Sequence, residues 1–266
     1  MGKVIHRYLY QRIGISLFVV IILTGIIGLS LPASWWLQAL KQHVPRLNAH
    51  QVSGYIWSGK VLDAEIIYRG YAIPLGDVTW RVDWSSLWRF KPCIIFSSHL
   101  NSQSSNGYLC TPFFSQQATF PLFAFAISGD EVANALGIEI RGHFQVNMNS
   151  LSVTNDHISD GSGHITWEDA QFYNGEEWLT LGNIFIAISS DKHTGDMTVH
   201  WRELANHDGQ SPIKLDIDML FSYGRLASVS GTLTPHYTHE KSMTDTLQLI
   251  SHRQKGNTFF IEKDWQ

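Results

Sequence analysis

The residues from Ile138 to Met148 alternate without a break. Ile138, Ile140, Gly142, Phe144, Val146 and Met148 fall on one side; Glu139, Arg141, His143, Gln145 and Asn147 fall on the other. A period of two belongs to an extended strand, whose side chains point to opposite faces in turn. The pattern recurs along the chain. Leu62, Ala64, Ile66 and Tyr68 alternate with Asp63, Glu65 and Ile67, and Trp80, Val82 and Trp84 with Thr79, Arg81 and Asp83. Met197, Val199 and Trp201 alternate with Thr198 and His200, and Ile213, Leu215, Ile217, Met219 and Phe221 with Lys214, Asp216 and Asp218. Each segment predicts a strand with one apolar and one wet face.

Polar clusters separate these runs: N-S-Q-S-S-N-G over 101–107, D-G-S-G over 160–163 and N-H-D-G over 206–209. Such clusters at short spacing favour hairpins, whereas parallel strands need crossover helices. Few helices are predicted: Asp130–Leu136, with Asp130 as cap and Gly137 as stop, and Ser242–His252. The expectation is therefore a mainly β chain, built on a large curved antiparallel sheet of roughly ten to fourteen strands. A weak division falls near Ser150. With little helix to cover it, the apolar side has three outcomes: a sandwich, a closed barrel, or a trough covered by a partner or a lipid. The faces carrying Trp80, Val82, Phe144, Val146, Val199, Ile217 and Met219 are predicted to line one shared concave surface.

Ahead of the strands lies Ile13–Leu31, 19 residues without a charged side chain. As a helix it spans roughly 28 Å, close to the thickness of a bilayer's hydrocarbon core. Lys3, Arg7 and Arg12 precede it, and the first acid of the chain is Asp63. Basic residues stay on the cytoplasmic face. The expected organisation is a cytoplasmic N-terminus over 1–12, a transmembrane helix over 13–31 and a periplasmic β-rich domain over 32–266. Trp35 and Trp36 follow the run, where aromatic rings favour the headgroup level. A cleaved signal peptide is the alternative, although its apolar core is normally about 7–15 residues. Ala33–His43 either extends the helix or forms a short interfacial one, closed by Pro45. An apolar helical stop also argues against a transmembrane barrel.

Beyond the membrane, two cysteines suggest a disulfide. Cys93 and Cys110 flank the polar cluster at 101–107. A hairpin centred on Asn101 and Ser102 sets them opposite one another; one centred later does not. Two free thiols are the alternative. Two thiols alone do not complete a zinc shell, and no metal or other cofactor is expected.

The chain carries no evident catalytic signature. His239-Glu240 lacks the second histidine of a zinc protease, Gly161-Ser162-Gly163 is no nucleophile elbow, and no phosphate-binding glycine loop opens a helix. His143 and His200 fall on wet strand faces. Asp156, His157 and Asp160 are close in sequence, but a solvated cluster is the simpler reading. The net charge is −4 and there is no basic cluster, which disfavours a nucleic-acid partner. No enzyme is expected.

One stretch says more. Val52–Val61 reads V-S-G-Y-I-W-S-G-K-V; it follows L-P-A-S-W-W and precedes Trp80-Arg81-Val82-Asp83-Trp84, Leu87 and Phe90. This order resembles the type II secretion system protein N family, with Gly54, Trp57 and Gly59 matching its first strand-and-turn signature. The resemblance implies an accessory subunit of the apparatus that exports folded proteins across the outer membrane. It also implies an inner-membrane anchor and other inner-membrane subunits as partners. The β-rich part is similar to the AsmA-like group, whose curved sheets are associated with lipid handling. That gives a lipid-binding or lipid-transferring module as the alternative, with lipid as a partner.

Overall fold

The computed structural model describes residues 15–20, 22–26, 28, 30–35, 47–68, 71–100, 103–112, 117–154, 157–191, 194–204, 211–222, 225–236 and 241–265. Alternation along the chain becomes one antiparallel sheet of 16 strands, more than the sequence suggested. The strands are β1 (Leu47–Asn48), β2 (Gln51–Tyr55), β3 (Ser58–Tyr68), β4 (Tyr71–Asp83), β5 (Cys93–Leu100), β6 (Gln103–Cys110), β7 (Gln117–Phe120) and β8 (Phe123–Ser128). They continue as β9 (Ile140–Thr154), β10 (His157–Tyr173), β11 (Trp178–Ser190), β12 (Met197–Leu204), β13 (Ile213–Ser222), β14 (Arg225–Pro235), β15 (Arg253–Lys255) and β16 (Thr258–Asp264). Among the described residues three short helices interrupt them: α1 (Trp84–Leu87), α2 (Gly129–Leu136) and α3 (Lys241–Ile250).

From β3 to β14 the spatial order nearly follows the sequence; β7 and β8 together fill the place between β6 and β9. Ser150 lies inside β9, and the sheet runs through the division expected there. The D-G-S-G cluster also proves not to be a turn. It lies within β10, where register slips between Ile158 and Asp160 and between Ser162 and Gly163 absorb it as bulges. The N-H-D-G cluster at 206–209 lies outside the described residues.

The register sets which side chains share a face. Trp80 pairs with Phe96, Phe96 with Gly107, Gly107 with Phe123 and Phe123 with Met148. The row continues through Gly163, Ile188, Val199, Met219 and Val229. Directly opposed residues in an antiparallel pair point to the same side, so this row is one continuous face.

Over β9–β14 that face is a closed core. Ile140, Trp167, Ile184, Ile186, Val199, Leu215, Ile217 and Leu233 are buried together, and α3 adds Met243 and Leu247. The apolar period of β13 reads directly as alternate buried and exposed positions. The ring of Trp167 stacks on Phe144 at 5.0 Å, and its Nε1 donates to the Arg141 carbonyl (2.9 Å).

The helix α2 starts one residue earlier than predicted, and its cap is Ser128 rather than Asp130. The Glu131 N–H donates to Ser128 Oγ, and the Ser128 N–H donates back to the Glu131 carboxylate, both at 3.3 Å. This reciprocal box satisfies two of the helix's free amide donors. Asp130 sits in the first turn, where its charge suits the helix dipole. The helix packs on β4, β8 and β9, so the sheet bends around it.

Candidate functional site

The hairpin of β2 and β3 brings Gly54, Trp57 and Gly59 together. Gly54 pairs with Gly59, Tyr55 pairs with Ser58, and Ile56-Trp57 forms the turn. Gly54 adopts φ +91°, a backbone region that side chains strain, and a Cβ there would lie 2.6 Å from the Ser58 carbonyl oxygen. At Gly59 a Cβ would meet the ring of Trp80 and lie 2.7 Å from the Ser53 carbonyl oxygen. Small residues at both positions therefore let the hairpin close beneath the indole of Trp80.

Four contacts tie this turn to its surroundings. Trp80 Nε1 donates to the Ile56 carbonyl (3.1 Å), and the Val82 N–H donates to the Trp57 carbonyl (2.7 Å). On the other side, Trp57 Nε1 donates to the Gly28 carbonyl (3.0 Å), and the Ile56 N–H donates to the Leu31 carbonyl (3.2 Å). Pro32 also bridges to Tyr55, and Ala33 is buried. The hairpin is thus the joint between the N-terminal segment and the sheet.

Within that segment residues 15–20, 22–26 and 28 are helical. Ile15, Leu17, Phe18, Val20, Leu23 and Ile26 are exposed. Among the described residues no helix is long and apolar enough to cross a membrane. Ile13, Gly14, Ile21, Ile27 and Leu29 of the apolar run lie outside those residues, as do residues 36–43 of the segment expected to extend it.

The seven residues predicted to share a concave surface divide by environment. All lie on the one face that the register defines. Val146, Val199 and Ile217 are buried, with Phe144 and Met219 packed against the core. Trp80 and Val82 are half-buried at the other end of the row. Between the two groups, under α2, an apolar cavity of about 450 Å³ opens. Val78, Phe96, Leu100, Phe123, Phe125 and Ile127 supply most of its wall, with Pro74 and Leu75 at one margin. Its polar groups are few and mostly engaged: Ser98 and Ser105 share a hydrogen bond (2.6 Å), and Glu131 belongs to the capping box. Sequence reading missed this wall, although F-A-F-A at 123–126 alternates plainly. It assembles from four strands and a helix, which no single stretch displays.

Cys93 and Cys110 are opposed in the register of β5 and β6, with Cα atoms 4.1 Å apart, and are bonded. Leu100 pairs with Gln103, the register expected of the earlier hairpin centre; Asn101 and Ser102 themselves lie outside the described residues. The bond lies at the foot of α1.

On the opposite face, His200 sits between two carboxylates. Its Nδ1 is 2.7 Å from Asp218 and its Nε2 is 3.7 Å from Asp216. The two carboxylates are exposed and the imidazole is half-buried, and both ring nitrogens face a carboxylate. His143 is exposed. Asp160 accepts a hydrogen bond from Ser190 Oγ, which places it in the strand ladder; Asp156 lies outside the described residues.

The arrangement is a broad antiparallel sheet, closed over a core at one end and hollow at the other, with an apolar helical segment joined to its first hairpin. The chain belongs to the type II secretion system protein N family: the model of that family, described as "Type II secretion system (T2SS), protein N", matches residues 45–260. The matched span begins just before β1 and ends within β16, so it covers nearly all of the sheet. Membership makes the chain a component of the secretion system and implies contact with its other components. No curated protein and no solved structure matches the chain.

Proposed function

We propose that the chain is an accessory subunit of the type II secretion apparatus, held in the inner membrane by a retained helix over Ile13–Leu31, with its sheet in the periplasm. Its role is structural rather than catalytic. The observation that carries the reading is the joint at Trp57. A family-matched sheet is hydrogen-bonded through that side chain to the last turn of the most apolar stretch of the protein. The uncharged length of that stretch and the basic residues before it support a spanning helix and its orientation.

A reporter active only in the periplasm, fused after Gln266, is expected to be active, and sequencing of the mature N-terminus should begin at or near Met1. A start near Leu31 or Ser34 would replace the anchor by a cleaved leader. Loss of the gene should reduce export of a folded secretion substrate. The protein should also co-purify with inner-membrane subunits of the apparatus.

The cavity favours a second reading, a module that holds an acyl chain. A volume of about 450 Å³ is within the range of small-molecule sites, roughly 300–1,000 Å³, and its wall is apolar. Mass spectra of gently extracted protein would show bound lipid on this reading, and Val78→Trp, which adds bulk at the cavity wall, would remove it.

A further inference from the structure

The segment from Trp84 to Lys91 reads W-S-S-L-W-R-F-K and carries three large apolar side chains into solvent. Trp84 is 50% exposed, Trp88 89% and Phe90 73%. A run of exposed aromatics on a soluble surface normally marks an interaction site.

These residues sit on a braced frame. Asp83 caps α1 by accepting from the Ser85 N–H (3.0 Å). The buried Ser86 accepts from the Cys93 N–H (2.8 Å), and its carbonyl accepts from the Arg89 N–H (3.1 Å). The Cys93–Cys110 bond and the Thr111 N–H donating to the Pro92 carbonyl (3.1 Å) fasten the exit of the loop. Phe90 adopts φ +54°, unusual for a bulky residue and a mark of functional sites when the surroundings enforce it.

Two observations identify the occupant. The first is position. Trp84 packs on Trp57 at 5.0 Å, and Trp57 is bonded to Gly28, so the turn is beside the end of the apolar helix. Trp35, 70% exposed, follows that same helix end. The second is chemistry. Arg89 and Lys91 interleave with the aromatics, and no acid lies between Trp84 and Lys91. Tryptophan prefers the headgroup level of a bilayer, and basic side chains are drawn to anionic lipid.

We propose that Trp84, Trp88 and Phe90, with Arg89 and Lys91, form a platform that rests in the headgroup layer of the membrane and fixes the sheet's posture on it. The inference rests on the reading of Ile13–Leu31 as an anchor. The full chain is reconstituted into vesicles of phosphatidylethanolamine and phosphatidylglycerol. An environment-sensitive fluorophore is placed on Trp88→Cys or Arg89→Cys, the native cysteines being bonded to each other. Glu176→Cys, exposed at the far ends of β10 and β11, serves as reference. The expected result is blue-shifted emission at 88 and 89, quenched severalfold more than at 176 by lipids carrying a quencher near the headgroup. Emission at 88 and 89 that matches 176 and is quenched by aqueous iodide overturns the platform, and the turn is then a surface for a protein partner. Failure of the anchor reads out separately, as release of the chain from the vesicles by alkaline carbonate.

Discussion

The indole of Trp80 occupies the space that a side chain at residue 59 would need. The two are register partners across β3 and β4, and the Trp80 ring also holds the Ile56 carbonyl. Gly59→Ala is therefore expected to lower stability by about 1–3 kcal/mol through overpacking. Adding Trp80→Ala should recover part of that loss, giving a non-additive double-mutant cycle. Denaturant titration of the solubilised chain measures it, and strictly additive losses would mean that the two residues do not constrain each other.

The Cys93–Cys110 bond closes a loop with a sequence separation of 17. In the chain-entropy treatment a loop of that size contributes about 3 kcal/mol. For a domain of this size that corresponds to a fall in Tm of about 6–12 °C when both are changed to serine. Reductant should produce the same fall in the native protein and no further change in the double variant. Equal melting of native and double-serine protein would remove the bond from the stabilising interactions.

Val146 is buried on the apolar face, opposite Ile165 and Phe125. Val146→Asp sets a charge between the apolar side chains of Ile165 and Phe125, and an uncompensated buried charge costs about 3–5 kcal/mol. Loss of the cooperative unfolding transition is expected. Asn149→Asp, exposed on the same strand, should shift stability by no more than about 0.5 kcal/mol. A Val146→Asp chain that folds normally would mean that this part of the face opens to water.

Lys60 Nζ lies 2.7 Å from Asp77 Oδ2. That hydrogen bond holds the Asp77 carboxyl below its ordinary value of 3.8. A carboxyl depressed in the folded state adds stability above its unfolded pKa and loses it as pH falls through the folded one. The contribution should thus be complete at neutral pH and disappear in acid below about pH 4, remaining small because both groups are well solvated. A carbon-detected NMR titration should find Asp77 below 3.8 and returned towards it in Lys60→Gln. An unchanged titration in that variant would reassign the shift.

The strands with unbroken alternation were legible because one face is buried and the other wet. β9 and β13 keep that division almost residue by residue. The D-G-S-G segment misled because glycine and serine serve a bulge as readily as a turn, and nothing local distinguishes the two. The position of the Cys93 hairpin was ambiguous for a related reason: residues 101–107 offer several turn centres, and the pairing of Leu100 with Gln103 decides among them. The composition of the Gly54–Trp57–Gly59 hairpin was visible, but its bond to Gly28 joins residues 29 apart in sequence. The cavity is further from view, since its wall spans Pro74 to Glu131.

The near-sequential order of the strands bears on how such a chain comes into being. A polypeptide delivered amino end first has only its earlier residues available for pairing. In this sheet β4 needs β3, β5 needs β4, and so on to β14, each partner having already arrived. Contacts between chain neighbours close short loops and form early, so assembly can keep pace with delivery and leaves one growing edge bare at a time. The late exception is β16, which pairs with β14 after α3 has passed. The core buried by Met243, Leu247 and Phe259 is therefore sealed only after β14 is in place.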